Sequence, residues 1–198
     1  MPHRTPLGLF FWGLVSLGLL LSLPLAAQNL AQQTVQMQYD SANLLNFQNF
    51  AVKLQEKVAQ VLRPLPQLVQ GFVQGQVPLG EAQNSLRRAM ADLAQLRGEL
   101  EAYPLEPGMG QKSFAVIRQS QLDLSASLAA WEESLQAQTL FLETKSKEQN
   151  QLRQEKAAIA QALAKKTRLR LGQSLESLKA DLAELSRRLK ALGPPPAP

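Results

Sequence analysis

The chain has 198 residues, 45% of them apolar, which is enough for one domain with a hydrophobic core plus appendages. It contains no cysteine and a single histidine, His3, so disulfides, thiolate catalysis, histidine-dependent triads and ordinary zinc sites are excluded for everything beyond the N-terminal segment. Aromatic residues are sparse at 6%, the formal net charge is +5, and the abundance of Leu, Ala, Gln, Glu, Lys and Arg predicts an all-α fold.

Residues 1–27 have the composition of a secretory signal. A short basic start precedes an uncharged apolar run from Leu7 to Leu23, and a proline and two alanines follow it. This order predicts export with cleavage after Ala27. The alternative is a membrane anchor formed by residues 7–27, although seventeen apolar residues of helix span only about 26 Å of a hydrocarbon layer of about 30 Å. Both interpretations place the remaining chain outside the cytoplasmic membrane, in the periplasm or the extracellular medium.

A Gln-rich stretch, residues 28–39, lacks a clear period and predicts a flexible spacer or frayed lead-in before a helical domain at 40–192. Asp40 and Ser41 are candidate N-caps of the first helix. Two prolines, Pro64 and Pro66, predict a kink within that helix rather than a turn, because the apolar pattern keeps its phase across them. The apolar positions alternate by three and four residues, as in helical bundles: Leu44, Phe47, Ala51, Leu54, Val58, Val61, Leu65, Leu68 and Phe72.

The second helix is predicted from about Glu81 to Tyr103, between two connectors rich in glycine and proline at 75–81 and 104–111. Its length corresponds to roughly 35 Å. The apolar stripe of this helix repeats without an error: Ala82, Leu86, Ala89, Leu93, Leu96, Leu100 and Tyr103.

From Ser113 the sequence shows no proline or glycine until Gly172, which predicts a long third helix. Its stripe begins with Phe114, Ile117, Gln121, Leu124, Leu128, Trp131, Leu135, Gln138 and Leu142 and becomes partly polar afterwards, at Leu152, Lys156, Ile159, Leu163 and Lys166. We expect a turn or sharp kink at Gly172 that returns the last helix onto this second half. A helix that continues through Gly172 is the alternative, since glycine costs only about 1 kcal/mol there, and its leucines would then pair with a second subunit.

The last helix carries an unbroken leucine seam, and a glycine followed by a Pro-rich, disordered tail at 193–198 ends it. A stripe of this kind predicts pairing with another helix, within the chain or in a partner. The seam consists of Leu171, Leu175, Leu178, Leu182, Leu185, Leu189 and Leu192.

A basic run at 145–170 holds eight cations against two glutamates. The first interpretation is a solvated helix face whose long side chains shield apolar residues. The alternative is an arm that contacts anionic lipid or an acidic cell-wall polymer. Nucleic acid is an unlikely partner, because no aromatic side chain lies among the cations to stack on bases. The possible contact residues are Lys145, Lys147, Arg153, Lys156, Lys165, Lys166, Arg168 and Arg170.

No residue pattern suggests a catalytic, cofactor or metal site. Glu99, Glu101 and Glu106 lie close in sequence, as do Glu132 and Glu133, but no histidine accompanies them as in di-iron bundles. The segment 106–111, EPGMGQ, lacks the lysine and the preceding strand of a phosphate-binding loop. The sequence therefore predicts a protein that is not an enzyme and has no cofactor and no small-molecule substrate.

Together these features predict an elongated, antiparallel helical bundle or coiled coil, exported from the cytoplasm. The functional hypothesis is a non-catalytic envelope protein that acts as an interaction or scaffolding module through helix packing with a protein partner, including a second copy of itself. One alternative is a holdase chaperone: the chain resembles exported basic helical chaperones of the Skp type in size, charge and signal, although it has no segment like their small β-rich part. Another is a membrane-anchored coiled-coil protein whose basic arm, 145–170, binds an anionic surface.

Overall fold

The computed structural model describes residues 25–192, and these are 89% helical with no strand in the described range. The helices pack against one another as an all-α bundle, which confirms the predicted fold class. The apolar run of the predicted signal before Leu25 and the Pro-rich tail at 193–198 lie outside the described residues. The five helices are α1 Leu25–Leu62, α2 Leu65–Val73, α3 Leu79–Glu101, α4 Gln111–Thr144 and α5 Lys147–Ala191.

The chain divides into two compact units. Unit 1 contains, of the described residues, 25–42 and 176–192, the first part of α1 and the last part of α5. Unit 2 contains residues 43–175, with the rest of α1 and α5 and all of α2, α3 and α4.

Residues 28–39 are α-helical and belong to α1, in place of the predicted spacer or frayed lead-in. Glutamine is a good helix former, and the face that includes Ala27 is buried, so this stretch gains both propensity and packing. Asp40 is not an N-cap. It lies in mid-helix, where its Oδ1 accepts a hydrogen bond of 3.0 Å from Nε2 of Gln36.

The interruption at Pro64 and Pro66 is confined to two residues between α1 and α2. Proline is tolerated there because the first turn of a helix has no intrahelical partner for its backbone N–H groups. The apolar phase is kept, since Leu65 at the start of α2 is buried like Leu54 before the break. The sequence pattern predicted this behaviour correctly.

Helix α3 follows the sequence prediction closely and packs along α4. All six of its predicted apolar positions before Tyr103 are buried. Tyr103 then closes the core at the end of α3, with its ring centroid 5.1 Å from that of Phe47 and 4.7 Å from that of Phe50.

The predicted long third helix is wrong, because α4 ends at Thr144 and a turn of two residues separates it from α5. Lys145 adopts a left-handed conformation with φ 53°, the only non-glycine residue of the described chain that does so. Its N–H donates to the carbonyl oxygen of Phe141 at 2.8 Å, and the N–H of Ser146 donates to Oγ1 of Thr144 at 3.3 Å. These bonds satisfy the backbone groups at the end of α4 without the glycine that such caps usually contain. No glycine therefore marks this turn in the sequence.

The predicted turn at Gly172 is also wrong, because α5 runs for 45 residues from Lys147 to Ala191 without a break. Its register differs too: Leu152 and Ile159 are exposed, whereas Ala160, Thr167 and Leu171 are buried. Small residues on α5 face serines on α4, and Oγ of Ser127 donates to the carbonyl oxygen of Ala160 at 2.7 Å. Helix α5 therefore packs through small side chains, and no fold-back at Gly172 is needed to cover its first half.

The continuity of α5 predicts that Gly172→Ala stabilises the protein by about 0.5–1 kcal/mol. A Cβ at this position meets no atom within 4 Å, and alanine reduces the conformational entropy of the unfolded chain. Urea denaturation followed by circular dichroism measures the change. The matched control is Gly108→Ala, which is expected to destabilise because Gly108 has φ +88°. Destabilisation by both substitutions would contradict a continuous helix at Gly172.

Candidate functional site: an apolar groove in unit 2

Two adjoining cavities in unit 2 form a groove between the α1–α2 segment, α4 and α5, with volumes of ≈480 Å³ and ≈390 Å³. Leu62, Trp131 and Gln161 line both cavities. Along α4 the lining runs from Leu124 to Phe141, which corresponds to about 26 Å of helix. We call the larger cavity the Arg153 cavity and the two together the groove.

The walls of the groove are mainly aliphatic and aromatic. The Arg153 cavity is lined by large apolar side chains from α1, α2, α3 and α4, whereas the one apolar side chain that α5 contributes is the small Ala157. Trp131, which the sequence pattern placed in the core, is only half-buried because this groove lies beside it. The groove opens where small side chains of α5 lie opposite large side chains of α4.

Polar side chains gather in the Arg153 cavity. Arg153 is half-buried, and its Nε and Nη2 donate to Oδ1 of Asn150 at 3.3 and 3.1 Å. The backbone of Arg153 is fixed as well, because Oγ of Ser134 donates to its carbonyl oxygen at 2.9 Å. No carboxylate of the described chain lies within ion-pair distance of this guanidinium.

Gln138 lines the same cavity and is 4% exposed. Its buried Nε2 has no hydrogen-bond partner in the described structure. A buried amide donor without an acceptor is unfavourable, costing about 1–3 kcal/mol relative to a paired one. The cavity therefore contains the Arg153 guanidinium, which has no carboxylate partner in the described chain, and the amide donor of Gln138, which has no acceptor there.

The structure separates the eight predicted cations into paired and unpaired groups. Lys156 pairs with Glu133 at 2.5 Å, while Arg170 and Lys166 reach Oδ2 of Asp123 at 2.6 and 3.7 Å. Arg153 lines the groove as described above. The remaining four are exposed and have no carboxylate within 4.0 Å in the described part of the chain: Lys145, Lys147, Lys165 and Arg168.

Asp123 is the most buried carboxylate of unit 2, at 7% exposed. No pattern in the sequence indicated that this side chain is buried. Burial raises the pKa of its carboxyl, but hydrogen bonds from Arg170 and Gln119 and the charges of Arg170 and Lys166 outweigh burial, so the pKa lies below its ordinary value. These bonds tie α5 to α4 over a sequence separation of 47 residues. Part of the basic run is thus structural.

The predicted leucine seam is placed on the inner face of α5 in both units. In unit 2, Leu171 and Leu175 are buried. In unit 1, Leu178 and Leu185 are buried, Leu182 and Leu189 are half-buried, and Leu192 is exposed.

Of the other carboxylates considered in the sequence, Glu99, Glu101 and Glu132 make ion pairs. Glu132 accepts from Nη1 of Arg97 at 3.2 Å, and Glu99 accepts from Nζ of Lys57 at 2.6 Å. The hydrogen bond from Lys57 lowers the pKa of Glu99, and the hydrogen bond to Glu133 raises the pKa of Lys156. Within residues 25–192 no cluster of three or more His, Asp or Glu side chains has the arrangement of a metal site.

None of the helices within residues 25–192 combines the length and apolar character needed to span a membrane. Comparison of the chain with protein-family models, curated proteins and solved structures finds no match. The groove was missed by sequence reasoning because its lining residues come from five helices, and only the irregular register of α5 could have indicated a gap.

Proposed function

We propose that this chain is an exported, non-catalytic interaction or scaffolding protein of the cell envelope that works through helix packing, with a second copy of the chain as its partner. The observation that supports this proposal is the helix pair of unit 1. Export rests on the signal-like order of residues 1–27, which precede and overlap the start of α1.

The helix pair of unit 1 consists of residues 25–42 of α1 and 176–192 of α5. Leu178 and Leu185 are buried on α5, and Leu30, Thr34 and Met37 are half-buried on one face of α1, so one stripe of each helix is covered at least in part. Two helices of this length bury little apolar surface, and short helices depend on tertiary packing for stability. A further helix against their flank would add the packing that the pair lacks.

One flank of α1 in unit 1 offers such a surface. Val35 is 63% exposed and lies about 100° around the helix from the half-buried Thr34. Neighbouring positions on this flank are uncharged glutamines, including Gln32. An uncharged, partly apolar flank permits two copies to approach without charge repulsion.

A second candidate function, binding to an anionic surface, is favoured by a shallow depression on α5. Leu169 is exposed there beside Lys165, Lys166 and Arg170. An apolar side chain among cations suits the interface of an anionic membrane. Because Lys166 and Arg170 already pair with Asp123, this candidate rests mainly on Lys165 and Arg168.

Cysteine cross-linking tests the self-association proposal directly, because the natural chain contains no cysteine. Full-length Val35→Cys and Gln32→Cys are expected to form a covalent dimer with a short bis-maleimide reagent in the intact cell envelope. The control Gln33→Cys lies about 200° around the helix from Val35 and should cross-link little. Equal cross-linking at all three positions, or none at any, would contradict pairing through this flank.

Aggregation assays then separate the scaffold from the holdase. The scaffold proposal expects no suppression of client aggregation by the purified full-length chain at equimolar ratio. Suppression that persists in the cross-linked Val35→Cys dimer would instead favour the holdase.

A further inference from the structure

We propose that the groove binds a long-chain carboxylate, a fatty acid, with its carboxylate against Arg153 and its acyl chain along the apolar walls beside Trp131. This inference concerns unit 2 and does not depend on self-association through unit 1.

The charge of the Arg153 cavity is not balanced within the described chain. Arg153 is the sole cation that lines this cavity, and its guanidinium is held by the neutral oxygen of Asn150. Arginine presents several N–H donors in a planar fork that matches a carboxylate. Because two of its nitrogens are bound to Asn150, the guanidinium is oriented before any ligand arrives, which reduces the entropy lost on binding.

The buried amide of Gln138 adds a second, independent indication. Its Nε2 has no partner, although the side chain is 4% exposed and lines the same cavity as Arg153. Buried polar groups of folded proteins are nearly always paired, so an orphaned donor needs an acceptor from outside the chain. A carboxylate carries two acceptor oxygens of the kind that Arg153 and Gln138 lack.

The shape and lining of the groove specify the rest of the ligand. Its larger cavity, ≈480 Å³, lies within the range of small-molecule sites, about 300–1,000 Å³. Leu62, Leu65 and Leu135 line it together with Trp131, and the apolar lining continues along α4 through the second cavity to Leu124. An open apolar groove with Arg153 as the one cation of its larger cavity, and with the exposed Arg63 beside its second cavity, fits an acyl chain whose carboxylate meets Arg153.

The test uses the full-length chain with Trp12→Phe, so that Trp131 is the only tryptophan, and sodium laurate as the probe. Laurate titration is expected to change Trp131 fluorescence with saturation, and calorimetry should give a stoichiometry of one. Dodecanol is the uncharged comparison of equal chain length. It is expected to bind more weakly than laurate, because it lacks the charge that meets Arg153.

Arg153→Gln isolates the role of the cation. It is expected to weaken laurate binding by about tenfold while leaving dodecanol binding unchanged. Arg87→Gln, which removes an exposed cation of α3 outside the groove, should leave both affinities unchanged. Since dodecanol reports the intact apolar walls, loss of laurate binding alone cannot be attributed to misfolding.

Four results would overturn the proposal. The first is the absence of saturable laurate binding, and the second is an equal loss of laurate and dodecanol binding in Arg153→Gln. The third is a loss of laurate binding in Arg87→Gln as large as that in Arg153→Gln. The fourth is a change of Trp131 fluorescence with protein concentration in the absence of laurate, which would assign the groove to a second copy of the chain.

Discussion

Replacement of Phe47 by alanine is expected to lower the free energy of unfolding of unit 2 by about 3–5 kcal/mol. Phe47 is fully buried, and its ring packs edge-on against Tyr103 with centroids 5.1 Å apart. Removal of this side chain leaves a cavity in the cluster that joins α1 to the end of α3, and it also removes an aromatic contact. Urea denaturation followed through Trp131 fluorescence, in a chain with Trp12→Phe, measures the loss within the same unit.

Phe114→Ala provides the matched control for this prediction. Phe114 begins the predicted stripe of α4 but is 43% exposed, because it lies in the first turn of the helix. Its removal should cost less than about 1 kcal/mol. A loss at Phe114 equal to that at Phe47 would show that the aromatic cluster around Tyr103 is not part of the core.

Asp123→Asn is expected to destabilise the protein by about 2 kcal/mol at pH 7. The substitution keeps the shape of the side chain but removes the negative charge that lies 2.6 Å from Nη1 of Arg170. Arg170 is largely buried, so its charge would then lack a carboxylate in an environment with little water. Equilibrium urea denaturation gives the difference from the natural chain.

The contribution of Asp123 should depend on pH in a defined direction. Its folded pKa lies below the ordinary value despite burial, because Arg170, Gln119 and Lys166 favour the charged form. A depressed carboxyl pKa adds stability above the unfolded pKa of about 4, and this stability is lost as the pH falls from about 5 through the folded pKa. The difference between the natural chain and Asp123→Asn should therefore shrink on acidification.

Asp92→Asn serves as the control for both parts of this prediction. Asp92 is exposed on α3 and has no cation within 4.0 Å in the described structure. Its substitution should change the free energy of unfolding by less than about 0.5 kcal/mol at both pH 7 and pH 3. A difference for Asp123→Asn that stays constant between pH 7 and pH 3 would contradict the proposed role of its charge.

The elements predicted best from the sequence are those whose packing follows a simple period. Helix α3 has one narrow apolar stripe, and each of its positions is buried in the structure. Helix α4 is different, because it packs on a second face through Ser120, Ser127 and Ser134, which are polar and gave no apolar signal. The register of α5 could not be read from its apolar residues for the same reason, because its buried residues include Ala160 and Thr167 whereas Ile159 is exposed.

The two connections near the basic run were predicted wrongly for related reasons. Gly172 is a residue of turns, yet in α5 it is followed by leucines whose burial outweighs its modest helix cost. Lys145 is not a turn residue, yet it takes φ 53° because the end of α4 is held by Phe141 and Thr144. The groove could not be predicted, because its polar residues come from separate helices and its existence depends on helix spacing.

The two-residue connection at Lys145 has a consequence for the order of folding. Ser134 bonds to Arg153 over 19 residues and Ser127 bonds to Ala160 over 33, seven positions farther from the connection on each helix. Each step of pairing therefore closes a loop only slightly longer than the step before, which costs little additional chain entropy. Contacts between α4 and α5 can form first beside the connection and then progressively farther along both helices. Low contact order of this kind favours rapid folding. A chain that emerges from N- to C-terminus completes this hairpin only after α5 has emerged, so α3 and α4, adjacent and already released, would meet first.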